Sequence, residues 1–190
     1  VLGGTIDDAA GEAYDKAGAV LGLRYPGGPH VDRLAAAGNP ARFALPRSFI
    51  NDATLRLSFS GLKTAFLYAM RGPQGKDPLT LDAHGIADAC ASFQAAVVDV
   101  LVAKLLLAAE REGVRTIAVG GGVACNRGLR ARLQAAAHER GWTLLLPEPR
   151  HCTDNAAMIA ALGHQLWLRG EIADLRLAPL PSGSAGPRVR

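Results

Sequence analysis

Hydrophobic residues in the first half of the chain recur at helical spacing between segments rich in glycine and proline. Residues 8–22 carry alanine, valine and leucine every three or four positions, which predicts a helix. Asp7 or Asp8 would cap the start of this helix, and Gly22 would end it. The same criteria predict a turn at 25–29, a short helix ending at Gly38, irregular chain with short strands over 41–59, and helices over 60–71 and 81–112.

The second half alternates between short apolar strands and helices. The run at 116–119 predicts a strand that leads into three glycines, and 142–146 predicts a second strand that ends at Pro147. Helices are predicted over 127–140 and 155–168. Strand, helix, strand and helix joined by short links are typical of a parallel unit, so the predicted fold class is α/β.

The carboxyl ends of the two predicted strands should lie at one edge of a sheet, because a right-handed crossover makes them parallel. Ligands of open α/β sheets bind at this edge. The loops 120–126 and 149–155 leave it. We therefore expect the glycines at 120–122, together with Asn126 and Asp154, beside one cleft.

The glycine run at 120–122 allows two interpretations. Backbone N–H groups without neighbouring side chains can approach a phosphate or a nucleotide, with a helix N-terminus behind them. The run is not a dinucleotide fingerprint, because Cys125 stands where a third glycine is needed, and no Gly-Lys-Ser/Thr follows to make a P-loop. A tight turn between strand and helix is the alternative.

Charged residues near the predicted helix starts also have two interpretations each. Asp154 is either the N-cap of its helix or a carboxylate bound to metal or phosphate, and spacing alone favours the cap. With His151 it still falls short of the three protein ligands of a catalytic zinc site. Glu12 and Asp15 share a helix face and could accept hydrogen bonds from ribose hydroxyls, although solvated charge is the simpler explanation. Lys63 is either an anion contact or a surface lysine.

Composition excludes several classes of protein. The 190 residues are 49% hydrophobic and 20% charged, as in globular proteins. Without Arg176, Arg188 and Arg190 the chain has 18 basic residues against 17 acidic ones, so its net charge of +4 gives little support for a nucleic-acid surface. Three widely spaced cysteines predict reduced thiols. No membrane span or secretory signal is expected, and Val1 in place of methionine indicates a piece of a longer chain.

Five segments match, in order, the motifs of one known family. They are DDAAGEAYDK at 7–16, YPGGP at 25–29, FSGLKT at 59–64, GGVACNR at 121–127 and CTDNAAMIA at 152–160. Together they closely resemble the tRNA N6-adenosine threonylcarbamoyltransferase family (TsaD). The resemblance implies an actin-like, sugar-kinase-like ATPase (ASKHA) fold of two lobes, of which this chain would be mainly the C-terminal lobe. Its parts would be a helical part of the nucleotide-binding lobe at 1–112, a parallel βαβα unit at 113–170 and a flexible tail at 171–190.

The resemblance also implies an activity and a set of site residues. The family transfers a threonylcarbamoyl group from threonylcarbamoyl-adenylate to N6 of the adenosine next to the tRNA anticodon. On this chain Asp15, Gly28 and Asn126 match positions that hold the adenylate. Asp154 matches a metal ligand, which reverses the preference drawn from spacing alone. Further candidates for substrate binding are Glu12, Gly121 and Gly122, and no residue is assigned as the catalytic group.

The implied cofactor is one divalent metal ion, iron or zinc, and its site is expected to be incomplete. The family takes two metal-binding histidines, spaced H-x-x-x-H, from its N-terminal lobe, and no two histidines of this chain are four apart. The chain is therefore expected to be a fragment that binds metal weakly and lacks transferase activity by itself.

The resemblance further implies partners and a location. The partners are tRNA, threonylcarbamoyl-AMP, and the smaller paralogous subunit, P-loop ATPase and adenylate-forming synthase of bacterial relatives, in the cytoplasm and without a membrane. The alternative is a non-catalytic nucleotide-binding or scaffold subunit of the same complex. A peptidase is not supported, because the sequence shows neither a nucleophile pattern nor HExxH.

Overall fold

Half of the described chain is α-helical, and the strands are short. The structure, a computed structural model, describes residues 1–174, 176 and 178. In chain order its helices are α1 (Ala10–Val20), α2 (Gly27–Ala35), α3 (Ser60–Arg71), α4 (Ala83–Arg111), α5 (Arg127–Arg140) and α6 (Ala156–Leu168). Its strands are β1 (Gly4–Thr5), β2 (Arg56–Leu57), β3 (Thr116–Ala118) and β4 (Thr143–Leu145). Most of the predicted tail at 171–190 lies outside the described residues.

Both pairs of strands are parallel. β1 pairs with β2, with Gly4 opposite Arg56, and β3 pairs with β4, with Thr116 opposite Thr143. The parallel pairing of β3 and β4 around α5 confirms the α/β class and the predicted strand–helix–strand arrangement. The pattern of the sequence did not predict β1, because two residues are too few to show an alternation.

The chain divides between Pro147 and Glu148 into two compact units. This boundary falls inside the segment 113–170, which the sequence grouped as one βαβα unit. β3, α5 and β4 belong to the first unit, and α6 belongs to the second.

The second unit contains α6, whose N-cap is Asn155. The Asn155 Oδ1 accepts a hydrogen bond from the N–H of Met158 at 3.0 Å, and the backbone of Asn155 is extended, as an N-cap requires. The expectation that Asp154 caps this helix is therefore wrong by one residue. No residue of α6 is buried, although the helix is rich in apolar side chains.

The N-terminal half of α4 packs against the helices that precede it. Phe93 is fully buried, and its ring centroid lies 5.0 Å from that of Phe66 on α3 and 5.5 Å from that of Tyr14 on α1, both edge to face. Such pairs add about 0.5–1.5 kcal/mol beyond the burial of their area. Burial also raises the pKa of the Cys90 thiol to about 12, as expected of an unreactive, reduced cysteine.

The C-terminal half of α4 belongs to a second apolar cluster. Val98 and Val102 of α4 pack with Leu129 and Leu133 of α5. By length and hydropathy alone this 29-residue helix could cross a membrane, but 56% of its most apolar window is buried inside the protein. Apolar side chains around a helix are also expected where it packs against neighbours on more than one side.

Helices α1 and α2 cross at two glycines. A Cβ atom added to Gly18 would lie 2.8 Å from the Cα of Gly27, and one added to Gly27 would lie 2.7 Å from the carbonyl oxygen of Tyr14. Both distances are shorter than real side chains tolerate, so glycine is required for this close approach. α2 begins at Gly27, and the helix therefore starts inside the segment 25–29 that was predicted as a turn.

We expect Gly27→Ala to lower the free energy of unfolding by about 1–3 kcal/mol, because the added methyl group must push α1 and α2 apart. Gly28→Ala is the matched control, since its methyl group would lie 3.8 Å from the Cβ of Tyr14, an ordinary contact. Urea denaturation followed by circular dichroism gives both values. Equal losses in the two variants would contradict a tight crossing.

Candidate functional site

The first turn of α2 fixes the side chain of Asp15 on α1. The Asp15 Oδ1 accepts hydrogen bonds from the N–H groups of Gly27 at 2.7 Å and Gly28 at 3.4 Å. The first N–H groups of a helix lack partners within the helix and favour a negative charge. This contact therefore stabilises both the start of α2 and the ionised carboxylate of Asp15. Within the described residues Oδ2 accepts no hydrogen bond, which leaves one oxygen of a half-buried carboxylate for a ligand.

Asn126, at the end of the glycine loop, joins three helices through its side-chain amide. Its Oδ1 accepts a hydrogen bond from the N–H of Leu129 at 2.8 Å and so caps α5. Its Nδ2 donates to Oε1 of Gln94 on α4 at 2.7 Å and to the hydroxyl oxygen of Tyr14 on α1 at 3.3 Å. Burial raises the pKa of the Tyr14 hydroxyl far above its usual range, so this group stays protonated.

An ion pair holds α2 against the start of α5. The Oδ2 of Asp32 accepts a hydrogen bond from Nε of Arg127 at 2.8 Å, and its Oδ1 accepts one from the backbone N–H of Arg127 at 3.0 Å. Asp15 binds the start of α2, and Asn126 immediately precedes α5. These contacts bring Asp15, Gly28 and Asn126, which the sequence singled out, into one region of the first unit.

The glycine loop lies at the carboxyl ends of β3 and β4, where the sequence placed it. A cavity of about 570 Å³ opens there, lined by residues 118–120 and 144–147. Gly121 has a φ of +83°, in the left-handed region that favours glycine. A Cβ atom at any of the three glycines 120–122 would have no neighbour within 4 Å. The loop is therefore a tight turn, and it is also open enough for a ligand to approach its backbone.

The charged residues beside Asp15 have partners within the chain. Asp8 accepts hydrogen bonds from Nζ of Lys16 at 2.9 Å and Nζ of Lys63 at 3.1 Å, and these contacts lower the pKa of its carboxyl. Lys16 also pairs with Glu12 at 2.6 Å; Glu12 first and then Asp8 raise the pKa of this lysine. Lys63 therefore pairs with Asp8, which lies just before α1, and Lys16 balances the charge of Glu12.

Asp7 links the start of α1 to the start of α3. Its carboxylate accepts hydrogen bonds from the hydroxyls of Ser58 and Ser60 and from the N–H of Phe59 at 2.8 Å. The cap position of α1 is Ala9, which makes no side-chain hydrogen bond, so the expectation that an aspartate caps this helix is wrong. Burial by itself raises the pKa of Asp7, but these hydrogen bonds outweigh it and hold the pKa well below its usual range.

The metal site implied by the sequence is not complete in the described residues. Asp154 and His151 are both exposed and lie in the second unit. In the part of the chain that the structure describes, no group of three or more His, Cys, Asp and Glu residues could hold a metal ion. The residues present therefore do not fit a full metal site, and Asp154 stays a predicted single ligand.

Sequence reasoning missed several residues of this region. The sequence could have indicated Gln94, because it is a polar side chain in the long apolar run of α4. No local pattern indicates Asp32, since its partner Arg127 lies 95 positions away. Tyr14 belonged to a motif but was not assigned a role.

Comparison with family models decides where the chain belongs. The model described as tRNA N6-adenosine threonylcarbamoyltransferase, TsaD, matches residues 1–161. The chain belongs to this family. The resemblance drawn from the five motifs is thereby confirmed, and Asp15, Gly28, Asn126 and Asp154 all lie within the matched residues.

Curated relatives with the name tRNA N6-adenosine threonylcarbamoyltransferase are similar to most of the chain. The relative from Geobacter metallireducens is 52% identical over 169 residues, which cover 89% of this chain and 48% of the relative. Those from Geobacter sulfurreducens and Porphyromonas gingivalis are 50% and 44% identical, and the matches cover 93% and 94% of this chain. The chain spans about half the length of the curated relatives it matches.

The site assignments of this threonylcarbamoyltransferase-family chain stay predictions. Adenylate binding by Asp15, Gly28 and Asn126 is compatible with their common location, and metal binding by Asp154 rests on the resemblance. The same holds for the further substrate-binding candidates Glu12, Gly121 and Gly122.

Asn126→Ala is expected to lower the free energy of unfolding by about 2–4 kcal/mol, because it removes a helix cap and leaves Gln94 and Tyr14 without a buried partner. Asp82→Ala is the matched control in the same unit. It removes the N-cap of α4, an exposed hydrogen bond of 2.8 Å from the N–H of Gly85, and should cost about 1 kcal/mol. Urea denaturation measures both variants. Equal losses would mean that the Nδ2 contacts contribute nothing.

Asp7→Asn should reduce the loss of stability in acid. The folded-state pKa of Asp7 lies below its unfolded value of about 3.9, so its contribution is full above about pH 4 and is lost as the pH falls further. Between about pH 4 and pH 2 the free energy of unfolding should therefore fall less steeply in Asp7→Asn than in the parent. Ser60→Ala, which keeps the carboxylate but removes one donor, should give an intermediate slope. Denaturant titrations at stepped pH measure the slopes, and an unchanged slope in Asp7→Asn would refute this role.

Proposed function

We propose that this chain supplies the nucleotide-binding part of a tRNA N6-adenosine threonylcarbamoyltransferase. The complete enzyme would transfer a threonylcarbamoyl group from threonylcarbamoyl-adenylate to N6 of the adenosine next to the tRNA anticodon. One observation carries the proposal: within the family match over 1–161, Asp15, Gly28 and Asn126 lie in one region of the first unit.

Asp15 would orient the ribose of the adenylate. Gly27 and Gly28 hold its Oδ1, which fixes the plane of the carboxylate, and Oδ2 is left to accept a hydrogen bond from a ribose hydroxyl. Gly28 adds a backbone surface without a side chain, so a ligand can approach the start of α2 closely.

Asn126 would accept a hydrogen bond from the nucleotide rather than donate one. Both hydrogens of its Nδ2 are used by Gln94 and Tyr14, and one lone pair of Oδ1 is used by Leu129. Among the described residues no other group donates to Oδ1, so its second lone pair remains. A ribose hydroxyl can donate to it, whereas an ionised phosphate cannot.

The glycine loop would face the phosphate. In the proposed reaction N6 of the tRNA adenosine attacks the carbamoyl carbon of the adenylate. The new C–N bond forms as the C–O bond to the phosphate breaks, so AMP leaves with the electron pair and the N6 proton passes to solvent. N–H groups at 120–122 would stabilise the charge that grows on the leaving phosphate, and the reaction requires no protein nucleophile.

Asp154 would be this chain's contribution to a divalent metal site for iron or zinc. The described residues offer no further cluster of ligands, so the remaining ligands would come from outside this chain. We therefore expect the isolated chain to bind metal weakly and to show no transferase turnover.

The wider assignments follow from the same family membership. The α/β class supports an actin-like, sugar-kinase-like ATPase fold, of which this chain would form mainly the C-terminal lobe. Its substrates would be tRNA and threonylcarbamoyl-AMP. Its partners would be a smaller paralogous subunit and a P-loop ATPase, in the cytoplasm.

The test measures binding of AMP to the full 190-residue chain by calorimetry. Asp15→Asn is expected to weaken binding about 10-fold or more, because a hydrogen bond to a charged group contributes about 1.5–3 kcal/mol. Gly28→Ala should weaken binding to a similar degree without shifting the unfolding midpoint. Gly163→Ala on α6, whose methyl group would have no neighbour within 4 Å, is the control and should bind as the parent does.

Two results would change the assignment. Unchanged AMP affinity in both Asp15→Asn and Gly28→Ala would place the nucleotide elsewhere. Transfer is measured separately, with the chain completed by the unmatched half of the Geobacter metallireducens relative and supplied with tRNA and threonylcarbamoyl-adenylate. AMP binding without any transfer there would favour the alternative, a non-catalytic nucleotide-binding or scaffold subunit.

A further inference from the structure

The side-chain amides of Gln94 and Asn126 form a pair whose orientation is set by the backbone of α5. The N–H of Leu129 can only donate, so the atom of Asn126 that faces it at 2.8 Å must be Oδ1. The other end of the Asn126 amide is then Nδ2, which donates to Oε1 of Gln94 at 2.7 Å. The remaining polar atom of the Gln94 amide is therefore Nε2, a group with two hydrogens to donate.

The Nε2 of Gln94 has no acceptor in the part of the chain that the structure describes. The amide makes one hydrogen bond there, which Oε1 accepts from Asn126. Among the same residues no fully buried side-chain nitrogen or oxygen lacks a partner, so the Nε2 atom must keep some exposed surface. Gln94 as a whole is half-buried. The hydrogens of Nε2 are therefore available to a molecule that enters from outside.

The first turn of α5 brings this donor next to an acceptor. A Cβ atom added to Gly128 would lie 2.7 Å from Nε2 of Gln94 and 3.3 Å from Oδ1 of Asn126. The two atoms therefore lie beside the same α-carbon, and they can be no farther apart than two hydrogen bonds of about 3.0 Å end to end. A single oxygen atom can bridge such a distance.

A donor and an acceptor side by side distinguish between chemical groups. A hydroxyl can donate its hydrogen to Oδ1 of Asn126 and accept one from Nε2 of Gln94 through the same oxygen. An ionised phosphate oxygen can accept from Nε2, but it has no hydrogen for Oδ1 and would face a lone pair there. An ammonium group could only donate, and would leave Nε2 without an acceptor. The amide pair therefore fits a hydroxyl.

We propose that Gln94 determines specificity by binding, together with Asn126, one of the two ribose hydroxyls of the adenylate. The inference rests on the proposed nucleotide function and adds to it a residue that lies outside the five family motifs. Asp15 would accept a hydrogen bond from the other ribose hydroxyl through its Oδ2. Gln94 then has two roles: its Oε1 positions the amide of Asn126, and its Nε2 contacts the ribose.

Calorimetry on the full 190-residue chain tests the proposal with AMP and its two deoxy analogues, each of which lacks one ribose hydroxyl. The parent should bind each analogue about 10-fold or more weakly than AMP, because a polar group of the site loses its partner. Gln94→Glu keeps an oxygen for Asn126 but replaces the Nε2 donor with an acceptor. This variant should bind AMP about 10-fold or more weakly, and its preference for AMP over one of the analogues should fall below about 3-fold.

Two variants serve as references for this change in preference. Gln134→Leu replaces an exposed glutamine on α5 and should keep all three affinities of the parent. Asp15→Asn should reduce the preference over the other analogue, because it acts on the other hydroxyl. A loss of packing in Gln94→Glu would weaken all three ligands equally and leave the preferences unchanged, so the preference separates ligand contact from a structural role.

NMR of the unmodified chain keeps the test decisive if Gln94→Glu fails to fold. The side-chain NH2 signals of Gln94 should shift on saturation with AMP, and should shift less with the analogue that lacks the hydroxyl bound by the amide pair. Signals that do not respond to AMP would overturn the proposal.

The remaining outcomes separate this inference from the proposed nucleotide site. AMP binding that depends on Asp15, with unchanged preferences in Gln94→Glu, would overturn the role of Gln94 alone. IMP carries a carbonyl oxygen in place of the N6 amino group. Weaker binding of IMP, with no loss for either deoxy analogue, would mean that the amide pair recognises the base and would overturn the hydroxyl assignment. Absence of AMP binding by the parent would overturn both proposals.

Discussion

Three hydrogen bonds of the Asn126 side chain hold together the helices that carry the candidate site. Its Oδ1 caps α5, and its Nδ2 reaches Tyr14 on α1 and Gln94 on α4, so the preceding glycine loop cannot shift without breaking a buried contact. Gly128 makes room for this junction, since a Cβ atom there would lie 2.7 Å from the Nε2 of Gln94. Helix capping and tertiary packing therefore depend on one amide group.

The Gln94 end of this junction is rigid because α4 is fixed along its whole length. Phe93, next to Gln94, packs into the cluster with α1 and α3, and Val98 belongs to the cluster with α5. Further along the helix, the buried Lys104 holds the segment before β2 through the carbonyl oxygens of Asp52 and Thr54. One helix thus sets the positions of the glycine loop, of α1 and of β2, which explains why so few strand residues suffice to order this unit.

Features with local signals could be predicted from the sequence, and features made by distant partners could not. The predicted end of the helix at residue 140 is confirmed, and Gly141 follows it with a left-handed φ of 64°. Asp7 has the spacing of a helix cap, but its partner Ser58 lies 51 positions later, and no local pattern reveals such a contact. Asp and Asn are both favoured N-cap residues, so the sequence alone does not distinguish Asp154 from Asn155. The extended backbone of Asn155 in the structure identifies it as the N-cap. For the candidate site, the motifs identified Asp15 and its glycine partners, whereas the geometry that joins them to Asn126 required the structure.

The nucleotide and metal functions proposed for this chain depend on different parts of it. The contacts that fix Asp15, Gly28 and Asn126 are all made within the first unit, by residues of this chain. Asp154 lies in the second unit, and the described residues there supply no cluster of metal ligands around it. Nucleotide affinity should therefore be a property of the described residues, whereas tight metal binding needs ligands beyond them. Adding those ligands should therefore raise metal affinity, while the contacts that fix Asp15 and Asn126 stay as they are.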